Sequence, residues 1–227
     1  MGNIGFRIRK HFERVDPVIV KEFQGIATAN IGDVMGRLWA MDHTIKPIGQ
    51  RGIHLVGSAF TVRTHPSDNL LVHKAMDLAQ PGDVIVIDAF GDMGNAILGE
   101  IMCHYAKTKG ISGYVVDGPV RDIEGIAKMG FPVFSKGVSP RGPYKEGPGE
   151  INMTISCGNV PVEPGDLIVG DGDGVMVVPK EEAAIVLEKA KAQERQEGAI
   201  IQSIYEGKWD RSWVDDCLNQ KGCTILD

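Results

Sequence analysis

The sequence predicts an α/β protein, one layered domain with arms at both ends, and three observations carry that prediction. Short apolar runs alternate with amphipathic segments along most of the chain, the pattern of helices laid on sheets. Two segments share one plan, a Pro-Gly-Asp turn feeding a nearly continuous apolar run: Pro81-Gly82-Asp83-Val84-Ile85-Val86-Ile87-Asp88 and Pro164-Gly165-Asp166-Leu167-Ile168-Val169-Gly170-Asp171. Such runs suit strands buried on both faces, and their pairing suggests two layers of sheet. With 43% apolar residues in 227, the chain has material for a sizeable core.

The elements follow in order. Asp16-Pro17 opens a helix running to Phe23, because proline fits a first turn and aspartate can accept its free amides, and Gly25 is the stop. Asn30 to Gly36 reads as a second short helix and Gly57 to Arg63 as a strand. Asn69 to Leu78 places Leu70, Leu71, Ala75 and Leu78 at helical spacing, with Asn69 as the helix cap. Asn95 to Lys109 reads as a helix with Ile97, Ile101 and Tyr105 on one face, ending before Gly110. Tyr114 to Val116 is a strand broken by Asp117-Gly118-Pro119. A short helix from Ile123 to Met129 ends at Gly130, and Phe131 to Phe134 forms the next strand. Ser139 to Gly149, rich in Gly, Pro and charge, is a long loop. Asp171-Gly172-Asp173-Gly174 is a tight turn, since the spacing and closing Glu of a calcium loop are missing. Glu181 to Tyr205 is a long helix with Glu181 and Glu182 where the helix dipole favours acid. The tail from Trp209 carries two tryptophans and suits packing on a neighbouring subunit. No internal linker stands out, so residues 1–227 are read as a single domain, with its core over about 20–200 and a C-terminal arm over about 206–227.

Composition narrows the function. A net charge of −6 with no basic stripe argues against nucleic acid as a partner. No segment approaches the roughly 20 apolar residues of a membrane span, and none near the start has the apolar run of a secretion signal. Cys103, Cys157, Cys217 and Cys223 include no C-x-x-C pair, so reduced thiols and a cytoplasmic location are expected.

Two stretches carry chemistry. In Gly91-Asp92-Met93-Gly94-Asn95-Ala96-Ile97-Leu98-Gly99-Glu100, glycines crowd the approach to a helix start. Free amides there form an anion site that a carboxylate could occupy; the same stretch is also readable as an ordinary turn. In Val116-Asp117-Gly118-Pro119-Val120-Arg121-Asp122, an Arg–Asp pair follows a strand end, where α/β proteins bind ligands. Asp122 offers a hard oxygen to a divalent cation and Arg121 a planar fork to an oxyanion; a surface salt bridge is the competing reading. His73 and His104 read as packed or surface histidines for want of a second matched ligand.

Glu100, twenty intervening residues and then Arg121-Asp122 resemble the acid-x20-Arg-Asp signature of the class II pyruvate aldolases specific for 4-hydroxy-4-methyl-2-oxoglutarate and 4-carboxy-4-hydroxy-2-oxoadipate, which share a fold with the regulator of ribonuclease activity A. The likeness continues through Gly110 to Gly118, Phe131 to Lys136, Cys157-Gly158, Pro164-Gly165-Asp166 and Asp171 to Val175, covering about residues 20 to 200.

The resemblance implies a swivelling β/β/α fold and a metal-dependent lyase that also decarboxylates oxaloacetate. It places the pyruvyl carboxylate on the amides of Gly99, Glu100, Ile101 and Met102. Arg121 would stabilise the enolate oxygen, Asp122 would ligate Mg2+ or Mn2+ with waters filling the other positions, and Glu100 would orient or deprotonate such a water. A second-shell acid from an adjacent subunit maps onto Glu197 or Glu194, within a homotrimer or homohexamer acting on a small 2-oxo acid. The pocket wall that chooses among substrates falls to the Ser139–Gly149 loop and the partner's tail. No lysine need form a Schiff base, so Lys107 and Lys109 are expected to be solvated. The alternative the same fold allows is a non-catalytic regulator that binds a ribonuclease.

Overall fold

The computed structural model describes residues 3–49 and 52–226. In chain order the elements are β1 (Phe6–Ile8), α1 (Pro17–Glu22), α2 (Thr28–Val34), β2 (Lys46–Pro47), β3 (Leu55–Thr64), α3 (Leu70–Leu78), β4 (Asp83–Asp88), α4 (Glu100–Thr108), β5 (Gly113–Val120), α5 (Ile123–Met129), β6 (Val133–Val138), β7 (Gly149–Ile151), β8 (Ile155–Cys157), β9 (Val160–Val162), β10 (Leu167–Asp171), β11 (Gly174–Val178), α6 (Ala183–Tyr205) and α7 (Ser212–Gln220). The chain divides into two compact units, Met1–Ala190 and Lys191–Asp227.

The first unit is built on parallel strands in the order β3-β4-β5-β6, each joined to the next through a helix, as parallel pairing requires. Alternate side chains then feed opposite faces. Ile85, Ile87, Tyr114 and Val116 meet Leu71, Val72, Met102, Cys103 and Ala106 of α3 and α4 on one side. Val84, Val86, Val115 and Phe134 meet the β8–β9 hairpin on the other. Both Pro-Gly-Asp units form strands, and both pair with β3: β4 runs parallel to it and β10 antiparallel along Leu55–Ser58. The two sheet layers are thus joined through one strand. The mixed α/β architecture is the one expected.

The second unit holds the rest of α6 and α7, and none of its described residues is buried. Glu194 and Glu197 lie there, with Gln193 donating to Glu197 at 3.0 Å. No helix among the described residues is long and apolar enough to cross a membrane.

Several local expectations are met. Asp16 accepts the Val18 amide at 2.8 Å and starts α1, and α5 ends at Gly130 with φ +64°. The helix predicted from Asn95 begins only at Glu100. The reason is long-range: the Ala96 amide donates to Arg141 O and the Ile97 amide to Pro119 O, both at 2.8 Å, so the chain cannot close a helical turn there. The predicted face fails with it. Ile97 is buried outside the helix, Ile101 is 82% exposed, and Met102, Cys103 and Ala106 form the buried side of α4. Strand β5 also runs on through Asp117-Gly118-Pro119, absorbing the break as a register shift between Val116 and Pro119. Lys107 is not merely solvated, since its ammonium donates to Met129 O at 2.9 Å.

Candidate active site

Strand β5 ends at Val120 and delivers Arg121 and Asp122 beside the start of α4. Two backbone bonds fix the junction: the Ile97 amide to Pro119 O at 2.8 Å and the Arg121 amide to Leu98 O at 3.0 Å. Asp122 precedes α5 with φ +59°, in the left-handed region. Its carboxylate does not cap its own helix. It turns to α4, where Oδ2 accepts the Glu100 amide at 3.2 Å and lies 3.7 Å from Arg121 Nε. A carboxylate there gains from the helix dipole.

The next two amides of α4, those of Ile101 and Met102, donate to no protein acceptor among the described residues. They are the unsatisfied donors that every helix start leaves over. Gly99 is required for this closeness, because a Cβ there would collide with Asp122 Oδ2 and press on Arg121 Cγ at 3.0 Å. A cavity of about 200 Å³ joins these groups, lined by Gly99, Ile101, Met102, Arg121 and Asp122 together with Asn69, His73, Leu98, Pro143 and Lys145. Its size suits a small organic acid rather than the larger ligands of typical drug-binding clefts.

Of the predicted residues, Gly99, Ile101, Met102, Arg121 and Asp122 line this cavity, while Glu194 and Glu197 belong to the second unit. Glu100 contributes its amide to the cluster, but its carboxylate leans over Gly125 of α5, where a Cβ would strike it, and faces His104 at 3.6 Å. It stands on the flank of the cavity. His104 is a surface residue, as expected.

Asn69 departs from expectation. It makes no side-chain cap; Asp68 does that work, accepting the Leu70 amide at 2.9 Å. Asn69 instead donates from Nδ2 to Ile97 O at 2.8 Å, which holds the chain just before Gly99. A carbonyl can only accept, so this partner fixes the amide's orientation. The Asn69 Oδ1 atom is buried without a partner.

Asp68 is a residue that the sequence did not single out. Its buried carboxylate also accepts the Glu146 amide at 2.6 Å and the Gly147 amide at 3.1 Å. Tyr144 N–H donates to Ser67 O and Asn69 N–H to Tyr144 O. The Ser139–Gly149 loop is thereby latched to the start of α3. An acidic residue two positions before a helix was the available signal. Asp68→Ala should lower stability by about 2 to 3 kcal/mol, the worth of hydrogen bonds to a buried charge, as read from urea unfolding.

Cys103 packs behind the site, and burial together with the Asp122 and Glu100 charges pushes its thiol up to about 12. It stays protonated at neutral pH and is no nucleophile.

Known proteins resemble this chain in sequence and in fold. The family model RraA-like, Aldolase/RraA, matches residues 28–177. A Halalkalibacterium halodurans protein provisionally named a 4-hydroxy-4-methyl-2-oxoglutarate aldolase is 47% identical over 185 residues, covering 82% of this chain and 88% of its own. A crystal structure of an uncharacterized Pseudomonas syringae pv. tomato protein superposes with a TM-score of 0.77 at 30% identity, over 86% of this chain and 96% of the other. Streptomyces coelicolor RraAS2, described as an unusual member of the RNase ES inhibitor RraA family, does so with a TM-score of 0.75 at 29% identity, over 83% and 98%. With the matching fold and about two thirds of its length inside one family model, the chain belongs to the RraA-like Aldolase/RraA family.

Proposed function

We propose that this protein is a divalent-cation-dependent carbon–carbon lyase that cleaves 4-hydroxy-4-methyl-2-oxoglutarate, or a related 4-hydroxy-2-oxo diacid, to pyruvate, and that it also decarboxylates oxaloacetate. The observation that carries the reading is the meeting of Asp122, Arg121 and the undonated Ile101 and Met102 amides around one small cavity. The relative provisionally named an aldolase points the same way.

The donor set fits a particular kind of cation. Among the described residues no three His, Cys, Asp or Glu side chains gather as a metal site, which is unlike zinc. Asp122 would hold Mg2+ or Mn2+ with water and substrate oxygens completing the shell, the usual manner of magnesium. Such an ion supplies Lewis-acid polarisation of the 2-oxo group and part of the charge balance for the enolate.

The chain's own residues do the rest. The Ile101 and Met102 amides, with Gly99 and Glu100, bind and orient the pyruvyl carboxylate. A base takes the proton of the 4-hydroxyl, the C3–C4 bond breaks, and its electron pair passes to the 2-oxo oxygen. The Arg121 guanidinium faces that developing oxyanion. C3 is then protonated to give pyruvate, and C4 leaves as a carbonyl. Glu100, acting through water, is the assigned proton partner. Loss of carbon dioxide from oxaloacetate yields the same enolate. Glu197, with Glu194, is assigned to complete the cation's surroundings from a neighbouring subunit of a homotrimer or homohexamer.

The test is pyruvate release from oxaloacetate and from several 4-hydroxy-2-oxo acids, with Mg2+, with Mn2+ and with chelator. Cation-dependent release is expected, and full turnover in excess chelator would rule the mechanism out. The second reading, a regulator that binds a ribonuclease, draws on the family description of RraAS2; it predicts no turnover of any of these acids.

A further inference from the structure

We infer that Asn95 is a positioning residue: it pins the Ser139–Gly149 loop against the Arg121 guanidinium and so aims that group at the oxygen it stabilises. The inference rests on the proposed role of Arg121 at the enolate.

Arg121 reaches the cavity without a bond of its own to hold its tip. Its amide is fixed to Leu98 O at 3.0 Å. Its guanidinium makes no hydrogen bond among the described residues, and Asp122 Oδ2 stands 3.7 Å from Nε, beyond hydrogen-bond length. The side chain is 42% exposed. An arginine so placed keeps much of its rotamer freedom unless something packs on it. Gly142 does so. A Cβ there would stand 2.9 Å from Nη1 and 3.8 Å from Cζ, so the loop backbone lies directly against the guanidinium.

The stretch Gly94-Asn95-Ala96 holds this part of the loop. It belongs to the glycine-rich approach to α4 and binds no substrate group in the proposed mechanism. Asn95 Nδ2 donates to Gly142 O at 2.7 Å, the Ala96 amide to Arg141 O at 2.8 Å, and the Ser139 hydroxyl to Gly94 O at 3.1 Å. A carbonyl can only accept, so Asn95 presents its NH2 to Gly142. Of the three bonds, the Asn95 bond alone ends on Gly142. The stretch is anchored in turn, since Asp92 Oδ2 accepts the Ser67 hydroxyl at 2.7 Å. The far end of the loop hangs separately on Asp68, through the Glu146 and Gly147 amides. Loss of the Asn95 side chain should therefore loosen Gly142 without releasing the loop.

The experiment is a double-mutant cycle on the full chain with Mg2+, reading kcat for cleavage of 4-hydroxy-4-methyl-2-oxoglutarate. Asn95→Ala should lower kcat about 10- to 100-fold, the range for a reacting group misplaced by about 1 Å, with little change in KM. In an Arg121→Ala background the same substitution should cost less than about twofold, because the group it aims is gone. Gly142→Ala is the second variant. Its φ lies outside the left-handed region, so the methyl strains no backbone and displaces only the flexible end of Arg121. It should fold normally by circular dichroism, lower kcat in the same way and likewise lose its effect without Arg121. An unchanged kcat in Asn95→Ala would overturn the inference. So would an equal fold-loss with and without Arg121, the mark of a merely structural tie. A wild type that releases no pyruvate would instead overturn the lyase reading and this role with it.

Discussion

Alanine at Asp122 is expected to cut pyruvate release about a thousandfold or more, a loss of transition-state electrostatics on the scale of a missing catalytic charge, and to abolish the response to added Mg2+ or Mn2+. Among the described residues, Asp122 is the one carboxylate lining the cavity. Its Oδ2 atom is held between the Glu100 amide and the Arg121 guanidinium, so no neighbour can take over its position. The side chain is 44% exposed, and its removal leaves the core untouched. A cation titration of steady-state pyruvate formation, with circular dichroism to establish folding, checks both claims. Retention of more than about a tenth of wild-type turnover would contradict the role, because the loss expected from a missing electrostatic partner is larger than that.

Arg121→Ala should lower kcat for oxaloacetate decarboxylation and for aldol cleavage alike, by about 100- to 1000-fold. In the proposed mechanism both reactions pass through the same enolate, whose charge exists only beyond the ground state, so the loss should fall on kcat more than on KM. Lysine should rescue little, since it lacks the planar fork. The surroundings argue for a fixed guanidinium: a Cβ on Gly142 would stand 2.9 Å from Arg121 Nη1, so the loop closes directly over it. Parallel kinetics on both substrates decide the matter, and unequal losses would mean that Arg121 serves only one of them.

The parts of this architecture that were legible in the sequence are those dictated by local chemistry. The Pro-Gly-Asp turns announced β4 and β10, Asp16-Pro17 announced α1, and Gly130 marked the end of α5. The resemblance carried by Glu100 and Arg121-Asp122 implied which groups would meet, and Gly99, Ile101 and Met102 line one cavity with Arg121 and Asp122. What could not be read depends on partners distant in the chain. Residues 95–98 have helical composition, yet the Ala96 and Ile97 amides are claimed by Arg141 and Pro119. The latch at Asp68 spans 78 and 79 residues to Glu146 and Gly147. His73 looked like an ordinary helix residue because the cavity it shares with Pro143 and Lys145 exists only once that latch is made.

Residue 122 adopts a backbone geometry that glycine occupies freely and that other L-residues resist by roughly 1 kcal/mol or somewhat more. Selection for a durable fold alone would favour glycine there. An aspartate in its place gives up some ruggedness in exchange for aim, because with this twist its carboxylate, at the start of one helix, meets the first turn of another. Laboratory stabilisation that consults only melting temperature would therefore tend to erase the very group on which the proposed turnover depends.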